Sequence, residues 1–121
     1  MQFTYICNMK MMLSYPMKSS DYKGGCKQHA FDLEVLAKNI DPTVEVVNPW
    51  MEIPNGTQKD YWRESNRLLL DCDAVLFGLG WQEADGCDFE YRTARALGKK
   101  ILFQYPVIGI NKSDYPGRIM Q

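Results

Sequence analysis

The residues with the most chemical potential lie close together between positions 80 and 90. Gly80 and Gly86 bracket a loop, Asp85 and Asp88 flank the second glycine, and Glu90 follows. The spacing predicts a helix over 87–97 with Glu90 in its first turn. A carboxylate there meets unpaired backbone amides and the positive end of the helix dipole. Both favour its ionised form, which a nucleophile or an electrostatic stabiliser requires. The same placement is also ordinary helix capping. The glycines either let a backbone approach a ligand or simply make turns. Asp85 and Asp88 are read either as partners for a sugar hydroxyl or as solvated acids. Trp81, if exposed in a cleft, would stack on a base or sugar; otherwise it is a core or interface residue. The loop matches neither the P-loop nor the dinucleotide fingerprint.

The elements that must hold these residues alternate. Phe3–Cys7 is a short β-prone run and the expected first strand. Residues 8–25, with Pro16, Gly24 and Gly25, read as a long loop. Residues 26–39 show helical periodicity through Ala30, Phe31, Leu33, Leu36 and Ala37, and Asp41-Pro42 stops them. Val44, Val46 and Val47 form a second strand, and Trp50–Thr57 a loop. Residues 58–71 read as a helix with Trp62, Ser65, Leu68, Leu69 and Cys72 on or near one face. Residues 74–79 are a continuous apolar run, as in a central parallel strand. In the helix over 87–97, Phe89, Thr93, Ala96 and Leu97 are expected to turn inward, and Gly98 to supply the cap. Residues 100–105 are the last strand, and the tail from Val107 has little pattern. Asp73, opening the third strand, is either a surface group or an anchor for nearby amides. This alternation predicts an α/β fold with a small parallel sheet of four to five strands covered on both faces. A fifth strand or a partner subunit would complete so narrow a layer.

The 121 residues suit a single domain over 1–121, and the 45% apolar content suits one core. A formal charge of −1 argues against a nucleic acid polymer or an anionic membrane as partner. No apolar run approaches the ~20 residues of a membrane span, and Lys10 and Lys18 break any signal-peptide core. Cys7, Cys26, Cys72 and Cys87 make no C-x-x-C pair, and His29 is the only histidine. No metal site is expected; the thiols read as reduced, in a cytoplasmic protein. His29, in a helical stretch, reads as a surface or packing residue. Met9, Met11 and Met12 either fill core gaps or wall a flat aromatic ligand.

Tyr5-Ile6-Cys7, Val47-Asn48-Pro49, Cys72-Asp73-Ala74-Val75, Gly80-Trp81, Gly86, Glu90 and Ala96-Leu97-Gly98 occur in the order of one known family. The chain resembles the nucleoside 2-deoxyribosyltransferase-like superfamily over about residues 3–104, closest to a short branch with Gly-Trp after the third strand. The resemblance implies a three-layer flavodoxin-like or Rossmann-like sandwich and a homo-oligomer that completes its sites from a neighbour. It also implies cleavage of a nucleoside or nucleotide N-glycosidic bond, by hydrolysis or transfer, with no cofactor. Glu90 would attack the anomeric carbon through a covalent intermediate, the retaining logic of glycosidases. Tyr5 would hold Glu90 or the base, Asn8 and the loop after it would line the pocket, and Trp50 would lie near the base.

The chain departs from that family at three places. Ser65 stands where the family usually has an aspartate that holds the sugar and protonates the leaving base. Ala84 replaces a phosphate-contacting serine, and Asp85 beside it would repel a 5′-monophosphate. The glycine-containing turn expected after the first strand is replaced by Asn8-Met9. Two functional readings follow: an N-glycosidase or deoxyribosyltransferase, or a non-catalytic binder of a nucleotide-like small molecule. A small α/β interaction protein without a pocket is the third.

Overall fold

The computed structural model describes residues 8–17, 22–52 and 58–104, with side chains throughout except at 51, 52 and 58–62. Four strands, β1 (Lys10–Ser14), β2 (Glu45–Val47), β3 (Ala74–Phe77) and β4 (Lys100–Phe103), form one all-parallel sheet in the order β2-β1-β3-β4. Between them run α1 (Gly25–Ile40), a short α2 (Pro49–Glu52), α3 (Gln58–Asp71), a 3₁₀ turn at Trp81–Glu83 and α4 (Asp85–Ala96). The register pairs Met12 with Val47 on one side and with Val75 on the other; β3 and β4 pair Phe77 with Phe103.

Side-chain alternation along the strands divides the core into two layers. Met11, Leu13, Ala74, Leu76 and Leu102 face α1 and pack on Leu33 and Ala37. Met12, Val75, Phe77, Ile101 and Phe103 face the opposite way, onto Leu69 of α3 and Cys87, Tyr91 and Ala94 of α4. The fold is therefore a three-layer α/β sandwich with flavodoxin-like strand order, as expected. At the amino edge Asp73 anchors β1: the Lys10 amide donates to its carboxylate at 2.9 Å, and the Asp73 amide returns a bond to the Lys10 carbonyl at 2.9 Å.

Two expectations are corrected. The first described strand is Lys10–Ser14, inside the expected long loop; Phe3–Cys7, including Tyr5, lies outside the described residues. Met11 and Met12 are therefore fully buried core rather than a ligand wall. The chain after β1 continues as Tyr15-Pro16-Met17, so this, and not Asn8-Met9, is the turn that lacks glycine. Second, α4 is rotated from its expected phase. Cys87, Glu90, Tyr91 and Ala94 face inward, while Phe89 and Leu97 are each 44% exposed. On α1, similarly, Phe31 is exposed and His29, Leu33 and Ala37 are buried. Tyr105 and the tail from Val107 lie outside the described residues.

Candidate active site at the carboxyl edge of the sheet

The connection from β1 leaves towards β2 and the chain returns on the other side as β3. The carboxyl ends of β1 and β3 thus flank the point where strand order reverses, where ligands bind in open α/β sheets. Ser14 ends β1 there and pairs with Phe77. It shares the inward phase of Met12, so its hydroxyl points towards α4. Glu90 comes down from that helix to meet it: Ser14 Oγ donates to Glu90 Oε1 at 2.6 Å, and the residues are 1% and 2% exposed. Short O–H···O⁻ contacts of this length are charge-assisted hydrogen bonds.

Glu90 is the sixth residue of α4, which starts at Asp85. It stands in the second turn and not the first. It therefore lies beyond the free amides of the helix end, and the Ser14 hydroxyl donates to it. Cys87 lies one turn earlier on the same inward face. Burial pushes its thiol up to about 12, the Ser14 hydroxyl lowers it somewhat, and the Glu90 charge raises it further. Cys87 therefore stays a neutral thiol throughout the physiological range.

The other expected site residues are not gathered equally. Asn8 precedes β1 and so stands at the amino edge; at ~3.3 Å per residue it is about 20 Å from Ser14. It does not line a pocket at Glu90, because the strand begins later than expected. Trp81 is 1% exposed and wedged among Phe77, Tyr91 and Phe103, with ring centroids 5.2, 4.6 and 5.6 Å away. It is a core residue, and its ring is not available for stacking on a ligand. Gly86 lies within the first turn of α4 rather than in the preceding loop, and Asp85 is exposed at the helix start. Ser65 is buried at 2% exposure on α3, in the helix layer that also contains α4.

Trp50 follows β2 at the same edge but packs on the α1 side of the sheet, half-buried. Asn48 sets that corner: its Oδ1 accepts from the Trp50 amide at 3.1 Å, and its Nδ2 donates to Tyr15 Oη at 3.0 Å. The loops after β1 and β3 also touch. Gly80 has left-handed backbone (φ 85°), and a Cβ there would stand 3.4 Å from Pro16 Cγ.

A second polar cluster, which the sequence reading missed, occupies the α1 side of this edge. Gln104, just past β4, accepts at Oε1 from the Leu79 amide at 3.0 Å and lies 2.8 Å from His29 Nε2, which therefore donates. Gln104 Nε2 donates to Tyr22 Oη at 3.1 Å, and Tyr22 donates to Asp32 at 2.5 Å. Tyr22 stacks on His29 with centroids 3.8 Å apart. Burial holds the His29 imidazole below its ordinary pKa, against the opposing pull of Gln104 and Asp32. His29 is thus a packing residue, and Gly78 makes room for it: a Cβ at 78 would stand 2.5 Å from Nε2.

Among the described residues no three His, Cys, Asp or Glu side chains gather as a metal site, and no helix is long and apolar enough to cross a membrane. Fold and site together define a class: a small three-layer α/β protein with a buried carboxylate at its sheet's switch point. The chain belongs to the family described as a domain of unknown function, DUF4406, whose model matches residues 9–103 and so runs from before β1 to the end of β4. No curated protein matches the chain.

Proposed function

We propose that the protein cleaves the N-glycosidic bond of a nucleoside or nucleotide, by hydrolysis or by transfer, with Glu90 as nucleophile. The observation that supports this most is the Glu90 carboxylate itself, buried at the switch point and hydrogen-bonded by Ser14 at 2.6 Å. A carboxylate oxygen forms a bond to the anomeric carbon as the C–N bond breaks. The bonding pair leaves with the base, which takes a proton from water. A water molecule or a second base then attacks the same carbon, releasing the carboxylate and the sugar product. The two displacements retain configuration. Asp85, exposed at the start of α4, favours substrates without a 5′-phosphate. On this reading the protein works in the cytoplasm, takes no cofactor, and binds a small molecule as a homo-oligomer.

The test is release of free base from a panel of nucleosides and their 5′-monophosphates, followed by chromatography. Glu90→Gln is expected to abolish release while the protein keeps its circular dichroism spectrum. Undiminished release by that variant ends the nucleophile assignment. Ser65, in place of the aspartate usual in the nucleoside 2-deoxyribosyltransferase-like superfamily, favours a second reading: the same fold holding a nucleotide-like ligand without turnover. Calorimetry would then show saturable binding of a nucleoside with no product formed.

A further inference from the structure

Ser14 carries an inference that rests on, and deepens, the nucleophile reading of Glu90. The hydroxyl is fixed on three sides. Its residue ends a central strand, its carbonyl accepts from the Gly78 amide at 2.8 Å, and its side chain is closed off from solvent at 1% exposure. Its one proton points to Glu90 Oε1. The two groups come from opposite ends of the domain sequence, so the bond is made by the fold and not by local geometry. Cys87, which also lies beside Ser14, is a neutral thiol and does not compete for the hydroxyl as a second charge. A buried carboxylate that loses a donor is shifted towards its protonated form, and a protonated carboxyl is no nucleophile.

We propose that Ser14 is the positioning residue of the site: its hydroxyl holds Glu90 Oε1, keeping the carboxylate ionised and fixing the direction from which it meets the anomeric carbon. Ser14 touches no reacting atom. It acts through Glu90, first by setting its charge and then by continuing to donate to Oε1, which becomes the carbonyl oxygen of the ester when the other carboxylate oxygen bonds the anomeric carbon. That donation draws electron density from the ester and eases departure of the carboxylate in the second displacement.

The test compares wild type with Ser14→Ala and Ser14→Thr. Two readouts are used: carbon-13 NMR titration of the Glu90 carboxyl, assigned by its loss in Glu90→Gln, and kcat and KM for base release across pH. Ser14→Ala is expected to move the Glu90 titration upward. It should lower kcat about ten- to a hundredfold with KM little changed, the range that follows from losing a hydrogen bond to a charged group. The acid limb of its pH profile should move upward with the titration, and Ser14→Thr should restore both. A Ser14→Ala carboxyl that titrates where wild type does overturns the proposal, as does a variant that keeps wild-type kcat at every pH. Should wild type release no base from any nucleoside, the nucleophile reading falls and the titration alone decides whether Ser14 holds the charge. If Ser14→Thr fails to fold for want of room, Ser14→Ala, which only removes an atom, still gives the deciding measurement.

Discussion

Two polar clusters meet the carboxyl edge of the sheet, one on each face. On the α4 side Glu90, Ser14 and Cys87 lie together, with the buried carboxyl of Glu90 accepting from the Ser14 hydroxyl. On the α1 side Tyr22, His29, Gln104 and Asp32 form an extended chain of hydrogen bonds that also takes in the Leu79 amide. The second cluster joins α1, the loop after β3 and the end of β4, and its buried histidine is neutral. It does what scaffolding does: it satisfies backbone and side-chain groups together. The first places a buried carboxyl group at the strand-order switch point, where open α/β sheets bind ligands, and its hydrogen bond joins β1 to α4. Burying a charge is costly unless it is hydrogen-bonded. A carboxyl group kept buried in such a place, beside a scaffold whose carboxylate, Asp32, is only half-buried, is the part of this edge that points to chemistry.

Four substitutions or conditions separate the two clusters, in falling order of effect. Glu90→Gln should cost about a thousandfold or more in base release, as loss of a nucleophile does, while the urea midpoint stays near that of wild type. His29→Ala should instead destabilise the fold by about 2–4 kcal/mol, measured by urea unfolding, because it empties a packed site and strips Gln104 of a donor. Base release by the folded fraction of that variant should persist. Gln104→Leu should cost about 1–3 kcal/mol by the same method, since the Leu79 amide and His29 Nε2 lose their acceptor. A substitution on the α1 side that removed turnover with stability intact would break the division between the clusters.

The smallest effect is on pH. The His29 pKa in the fold lies below its ordinary 6.5 because burial disfavours the imidazolium. As pH falls the unfolded chain takes up this proton first. The stability linked to His29 is therefore complete above 6.5 and declines as pH drops from there towards the folded value. Urea midpoints between pH 8 and 5 should show that decline in wild type, and His29→Gln should flatten it. Asp32, whose carboxyl Tyr22 and Gln28 hold below the ordinary 3.8, acts in a lower window and does not mask it.

The alternation of strands and helices was legible because it rests on apolar runs and on Pro and Gly stops. Gln58–Asp71 has the expected bounds, and Ser65, Leu69 and Cys72 share its buried face. Lys10–Ser14 is not legible as a strand because its local β propensity is weak beside that of Phe3–Cys7, which lies outside the described residues. Pairing on both sides and the Asp73 anchor make Lys10–Ser14 a strand whatever its local preference. Glu90 was legible as a residue; its surroundings were not. Hydrophobic periodicity placed Phe89 and Leu97 inward, since that pattern counts a glutamate as a surface residue. It cannot register that a serine distant in sequence will satisfy the carboxylate. Ser14 did leave one signal, a small hydroxyl closing the apolar run Met11-Met12-Leu13 where a strand would end. Tyr22 and Gln104 left none, because a polar residue beside a strand or turn is the common case.

Gly78 and His29 carry a consequence for anyone redesigning this chain. The imidazole occupies the volume that any side chain at 78 would need, so the two positions form one steric unit despite their distance in sequence. A library that varies 78 alone will return glycine. Varying both at once opens solutions, such as alanine at 78 opposite a slimmer residue at 29, that no sequence of single steps reaches without passing through a weakened intermediate.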